Sequence, residues 1–272
     1  MRRQNVAALI ALAALWIFII SPAAAVSQQY EPTVGQEGKD VTWVPTPEEL
    51  VQAMLDLAKV APNDYVIDLG SGDGRIVIAA AKRGAHAVGY EFNPDMVQLS
   101  KQNAEKAGVT DKATFMNADL FTADLSKATV ITMYLLPQLN LKLRPTLLEL
   151  KPGTRVVSHA FTMGDWPDDK TVEKEGRTAY LWIVPAKVEG VWASQNGSGS
   201  AELKLTQTFQ NVQGSLKIGG KEIAIKNGKL EGERITFAAG DQEYAGHVSG
   251  KTIEGTVKSG GREQKWSAVK KQ

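Results

Sequence analysis

Cysteine is absent from all 272 residues, which excludes disulfides, thiolate metal sites and a cysteine nucleophile. Histidine is scarce: His86, His159 and His247 stand far apart and show no metal-ligand spacing. An excess of either charge is also missing. The 31 basic and 30 acidic side chains leave a net charge of +1, and no Lys/Arg block is interleaved with aromatics, so whole-chain electrostatics do not point to nucleic acid. Two phosphate-binding signatures are lacking as well. No G-K-[ST] closes a glycine loop, and Arg75 stands where a dinucleotide fingerprint needs its third glycine. Long apolar runs are limited to one, residues 6–20.

That run follows Arg2 and Arg3 and precedes Ser21-Pro22-Ala23-Ala24-Ala25, a helix break with small residues. Charged start, apolar stretch and small-residue end predict a secretory signal over residues 1–25, cleaved before Val26, with an uncleaved N-terminal membrane anchor as the alternative. Either way the arginines stay on the cytoplasmic side and the folded part is exported across the inner membrane. The remaining chain belongs to a globular protein of 43% apolar and 22% charged residues, enough for one sizeable core and a second small one.

The most informative segment is Asp68-Leu69-Gly70-Ser71-Gly72-Asp73-Gly74-Arg75. A short apolar strand (residues 65–69) ends in it, and a helical apolar pattern (residues 76–81) leaves it. Strand, tight glycine loop and helix N-terminus are the parts that hold a nucleotide-like ligand in an open α/β sheet. A second strand over residues 86–89 ends in Tyr90-Glu91-Phe92-Asn93. Glu91, about 20 residues past the loop, is placed to accept hydrogen bonds from ribose hydroxyls. A helix over residues 94–107, a third strand over 113–116 and a fourth over 128–133 follow. Tyr134 leaves the fourth strand, and a fifth strand (155–158) leads into His159-Ala160-Phe161, with Trp166-Pro167 beyond. Ligands in such sheets bind outside the carboxyl ends of the strands. Segments 171–174 and 180–184 predict a closing hairpin.

The run Asp-x-Gly-x-Gly-x-Gly resembles motif I of the class I S-adenosylmethionine (SAM) methyltransferases. The resemblance implies a seven-stranded Rossmann-like sheet with SAM as cofactor. It implies a cofactor set of Asp68, Gly70, Ser71, Gly72, Gly74, Glu91, Asn93 and Asp119, with the loop on the amino acid end of SAM and Asp119 on the adenine amino group. For Asp119 alone, an Asx turn or a helix cap is a nearly equal alternative. Val44-Pro45, the glycine loop, Gly89-Tyr-Glu-Phe-Asn-Pro94 and then Phe161 with Trp166-Pro167 narrow the likeness to the small protein-lysine methyltransferases of archaea, bacteria and mitochondria. That likeness covers residues 43–166 and implies a protein lysine as acceptor, with membrane association through the N-terminus. SAM is made in the cytoplasm, so export and cofactor pull in opposite directions.

A lysine acceptor must be neutral to attack, and a dry aromatic mouth both lowers its pKa and orients the amine. Tyr134, Phe161 and Trp166 are the expected catalytic mouth. Two alternatives are a small-molecule methyltransferase and a non-catalytic exported binding protein. Before the first helix, Thr46, Pro47 and Glu49 predict a capped helix start, and residues 43–46 are a candidate lid.

Beyond residue 186 helical periodicity gives way to alternation, glycine and lysine. Short antiparallel strands are expected, with a hairpin turn at Asn227-Gly228 and closure into a small barrel or sandwich. The resulting organisation is a signal or anchor over 1–25, a linker and possible lid over 26–45, a methyltransferase domain over 46–186 and an all-β domain over 187–272. The junction at Pro185-Ala186-Lys187 is expected to be an exposed crossing, which would make the halves separable.

Overall fold

The computed structural model describes residues 30–196 and 199–271. The predicted signal over residues 1–25 and its cleavage point before Val26 lie outside the described residues. Among the described residues no helix is long and apolar enough to cross a membrane.

Leu50, Val51, Met54 and Leu55 recur at helical spacing and are fully buried, so the first element is helix α1 (Glu48–Leu57). The chain then alternates strand and helix: β1 (Tyr65–Leu69), α2 (Arg75–Lys82), β2 (His86–Glu91), α3 (Pro94–Ala107), β3 (Ala113–Asn117), β4 (Val130–Met133), α4 (Pro137–Leu148) and β5 (Arg155–His159). Near-continuous apolar strands such as β4, buried throughout, suit a parallel sheet covered on both faces. A hairpin of β6 (Lys170–Lys174) and β7 (Arg177–Ile183) completes it. The strand order is β3-β2-β1-β4-β5-β7-β6, with β7 antiparallel to β5. β1 lies between β2 and β4, so the chain reverses direction across the sheet there, and a crevice opens at the carboxyl ends of those strands. One apolar cluster packs α1, α2 and α3 on one face; a second packs α4 on the other and includes Trp166 and Trp182.

Eight further strands form a closed antiparallel barrel: β8 (Gly190–Asn196), β9 (Gly199–Thr208), β10 (Asn211–Ile218), β11 (Lys221–Glu231), β12 (Arg234–Ala239), β13 (Gln242–Ser249), β14 (Thr252–Ser259) and β15 (Arg262–Lys270). Pairing of β15 with β8 and of β9 with β10 closes the ring and leaves no free edge. Inward-facing Trp192, Phe237, Tyr244 and Trp266 fill its centre.

Two expectations are corrected. Asn227 and Gly228 form no hairpin turn: β11 runs through them, with a register shift between Lys226 and Lys229. Asn227 has a φ of 53°, a left-handed residue that serves a bulge as well as a turn. The junction is not an exposed crossing either. Pro185 and Ala186 are buried, and the Ala186 N–H donates to the Gly232 carbonyl at 2.9 Å; only Lys187 is exposed.

Candidate active site

The glycine loop is pinned to the end of β2. The N–H groups of Gly70 and Ser71 both donate to the Tyr90 carbonyl, at 2.9 and 3.0 Å. Gly72 has a φ of 53°, and a Cβ there would lie 2.7 Å from the Trp43 Nε1, so only glycine leaves the cradle open. Gly89 is required from the opposite side: a Cβ on it would meet Ser71 Oγ at 2.5 Å. Among the described residues the buried Ser71 hydroxyl has no hydrogen-bond partner. Asp68, 2% exposed, accepts from Thr132 Oγ1 at 2.6 Å. Burial pushes its carboxyl up to about 7; the Thr132 bond opposes this, and the nearby charges of Glu91 and Asp73 add to it.

Glu91 ends β2 and ties the glycine loop to the turn before α3. Its Oε2 accepts from the Gly72 N–H and its Oε1 from the Asn93 N–H, both at 2.9 Å. Asn93 in turn caps α3, accepting from the Asp95 N–H at 2.9 Å. Asp119 accepts from the Phe121 N–H at 2.9 Å as the cap of a short 3-10 turn (Leu120–Thr122), and its other oxygen binds Lys39. The Lys39 ammonium, then the Phe121 N–H, hold the Asp119 carboxyl below its usual range.

Lys39 belongs to an arm before α1 that walls the pocket from residue 36 to residue 46. A β-bridge between Glu37 and Thr42 stiffens the arm, and the Lys39 ammonium lies 4.8 Å over the Phe92 ring. The pocket wall therefore extends beyond the candidate lid over residues 43–46. Reading residue by residue missed Lys39 because an isolated lysine in a nonperiodic linker carries no local signal.

Thr46 does not cap α1, which starts at Glu48 with Pro47 as its N-cap and no side-chain cap. The Thr46 hydroxyl is buried against His159 Nδ1 at 3.0 Å, while its carbonyl accepts from Arg75 Nη1 at 2.8 Å. Burial pushes His159 down to about 4, helped by the positive charge of Arg177, so the ring is neutral at ordinary pH. The imidazole packs on Tyr134 with centroids 3.8 Å apart, and Tyr134 stacks on Phe161 at 6.3 Å. Ala160, between His159 and Phe161, has a φ of 66°, which turns the chain sharply at the end of β5.

One pocket thus brings together Asp68, Gly70, Ser71, Gly72, Glu91, Asn93 and Asp119 with Tyr134 and Phe161. Two predicted residues stand apart from it. Gly74 caps α2 in a left-handed conformation and packs against Phe115 and Ser100. Trp166 is 1% exposed and lies against the barrel, its Nε1 donating to Gln210 Oε1 at 3.1 Å, so it forms no part of the mouth. The wide indole fills the seam between the two cores, a partner no spacing within the α/β half reveals.

The residues present fit SAM. The space kept by Gly72 suits the amino acid end. Each carboxylate keeps acceptor capacity beyond the bonds it makes, Glu91 to two backbone N–H groups and Asp119 to the Phe121 N–H and Lys39.

The model of the ANTKMT methyltransferase domain family matches residues 68–170. A protein-lysine N-methyltransferase of Saccharolobus islandicus (strain REY15A) is 46% identical over 151 residues, 53% of this chain and 94% of that protein. The adenine nucleotide translocase lysine N-methyltransferase of Mus musculus is 36% identical over 159 residues, 58% of this chain and 68% of that protein. Among solved structures, an RNA methyltransferase of Salinibacter ruber in complex with S-adenosyl-L-homocysteine is 54% identical, with a TM-score of 0.52, covering 53% of this chain and 96% of that one.

Proposed function

The chain belongs to the SAM-dependent protein-lysine N-methyltransferase family, and from that premise we propose that it methylates the side-chain amine of a lysine in a protein. The observation that carries the reading is a single pocket with the glycine loop, Glu91 and Asp119 at one end and the Tyr134–Phe161 pair at the other.

Bound SAM supplies an electrophilic methyl group on a sulfonium. The backbone of Gly70, Ser71 and Gly72 would hold its amino acid end, Glu91 its ribose and Asp119 its adenine amino group. At the mouth, Tyr134 and Phe161 desolvate the lysine Nζ, which lowers its pKa so that the proton leaves to water and the lone pair is freed. Their ring faces hold the amine in line and tolerate the charge that develops on it. The protein's work is positioning and exclusion of water in a displacement at carbon.

The chain's net charge of +1 and the names of the curated relatives favour a protein acceptor over the RNA named for the Salinibacter protein. The test offers tritiated-methyl SAM with a membrane-protein extract and, separately, with total RNA. Label recovered as Nε-methyllysine after acid hydrolysis supports the reading. Label confined to methylated nucleosides contradicts it. Export is the proposal for location, supported by Arg2, Arg3 and the apolar run over residues 6–20. Intact mass of the protein from cells is expected to begin at Val26; a chain beginning at Met1 in the soluble cytoplasm contradicts it.

A further inference from the structure

The barrel meets the methyltransferase half through Lys229, whose ammonium lies 3.7 Å from the Asp169 carboxylate, through Gly232 beside Gly153, and through one hairpin turn. Phe209 and Gln210 are the two residues between β9 and β10, closed by the Thr208–Asn211 pair. Phe209 has a φ of 53°. Bulky side chains adopt that left-handed region at a cost, and two-residue hairpins normally place Asn or Gly there. Strain of this kind persists where the surroundings use it.

The surroundings here are the loop after β5. Phe209 stacks on Trp166 with centroids 6.0 Å apart and planes 16° apart. Gln210 is 2% exposed, yet its amide serves the neighbouring domain: Oε1 accepts from Trp166 Nε1 at 3.1 Å, and Nε2 donates to the Pro167 carbonyl at 2.7 Å. From beneath, Trp182 Nε1 donates to the Trp166 carbonyl at 3.0 Å. The same loop begins with Phe161, one of the two rings at the mouth of the pocket. On the sheet side it is held by Asn140 Nδ2, which donates to the Phe161 and Thr162 carbonyls at 3.2 and 3.3 Å, and by Arg144 Nη1 on the Met163 carbonyl at 2.8 Å. The loop is clamped from both sides, and one jaw belongs to the barrel. About half of this chain suffices to cover 94% of the Saccharolobus protein, so the barrel adds something beyond what that methyltransferase carries.

We propose that the Phe209–Gln210 turn is a positioning device for the acceptor wall: the barrel fixes the loop over residues 160–169, and with it Phe161, and thereby sets how the acceptor enters. The proposal rests on the reading of Tyr134 and Phe161 as the acceptor mouth. Phe209 and Gln210 touch neither cofactor nor acceptor and act through Trp166 and the loop backbone.

The decisive variant in the full-length protein is Phe209→Asn. Asparagine tolerates the left-handed conformation, so the hairpin keeps or gains stability while the stacking ring is lost. Phe209→Tyr keeps the ring and serves as the rescue. Three readouts separate positioning from stability: amide exchange over residues 161–169, the calorimetric Kd for S-adenosylhomocysteine, and the rate of Nε-methyllysine formation in the membrane-protein extract. For Phe209→Asn we expect loop exchange about tenfold faster and methyllysine formation about tenfold slower. The S-adenosylhomocysteine Kd should stay within about twofold, because the cofactor end of the pocket is untouched. Phe209→Tyr should match wild type. Unchanged exchange, an unchanged rate, or a loss of S-adenosylhomocysteine affinity in step with the rate overturns the proposal. If wild type forms no methyllysine, the lysine reading fails separately. Exchange and S-adenosylhomocysteine binding then judge the turn by themselves: faster exchange with intact binding upholds the clamp, and unchanged exchange removes it.

Discussion

Asp68 is expected to make cofactor binding sensitive to pH. Its carboxyl is buried, satisfied on one side by Thr132, and held near 7 by desolvation. A raised carboxylate pKa means that the folded protein without cofactor holds a proton there below about pH 7. SAM carries a sulfonium and an ammonium against one carboxylate, and its net positive charge favours the ionised form and expels that proton. Affinity therefore falls as pH drops through 7: between pH 8 and pH 6 the Kd should rise by roughly tenfold, with proton release at pH 6 seen by calorimetry in buffers of different ionisation enthalpy. His159, held near 4, does not titrate in this window. Asp68→Asn keeps an oxygen for the Thr132 hydroxyl and should bind more weakly with no slope. A slope that survives in Asp68→Asn assigns the titration to another group.

Among the elements, the arm over residues 36–46 is the part that closes the pocket, and Thr46 is its anchor. The hydroxyl binds His159 and the carbonyl binds Arg75, so the arm, the cofactor loop and the ring behind Tyr134 meet at one residue. Thr46→Val removes the hydroxyl with little change of shape and leaves the buried His159 Nδ1 unpaired. Denaturant unfolding should show a loss of about 1–3 kcal/mol. Exchange at the Gly35 and Trp43 amides, which bond within the arm, should accelerate. Wild-type values for both would remove the anchor. This element also shows what was legible in the chain and what was not. The helix after Thr46 could be read from Leu50, Met54 and Leu55, because periodicity is a local property. The fate of the Thr46 hydroxyl could not, since a cap and a tertiary bond to a residue 113 positions away demand the same side chain. Asn227-Gly228 failed for a like reason: a left-handed residue serves turn and bulge equally. That the glycine loop, Glu91 and Tyr134 share one pocket at strand ends was legible from fixed spacing; the place of Trp166 was not, because its partner Gln210 lies in the other domain.

At the scale of the whole molecule, two cores share one seam. Alternation and helical periodicity mark the two halves, yet Trp166 is 1% exposed only while Phe209 and Gln210 cover it. An exposed crossing at Pro185-Ala186-Lys187 would make the halves separable; the buried junction denies full independence to a chain ending at residue 188. It would lose the Gln210 bonds to Trp166 and Pro167 and the cover of a large ring. Stability should fall by at least about 3 kcal/mol, or roughly 6–12 °C in Tm. A truncated chain that melts with the full-length midpoint would show that the seam contributes nothing.

The central claim is that one pocket, built on the glycine loop and Glu91 and walled by the arm, binds SAM for methyl transfer. Isothermal titration of SAM into the full-length protein, alongside Glu91→Ala, tests it most directly. The account predicts saturable one-to-one binding for wild type. In Glu91→Ala it predicts a loss of about 1.5–3 kcal/mol, the worth of hydrogen bonds to a charged group, with the cooperative melt retained. No saturable heat at millimolar SAM, or equal affinity in the two proteins, would contradict it.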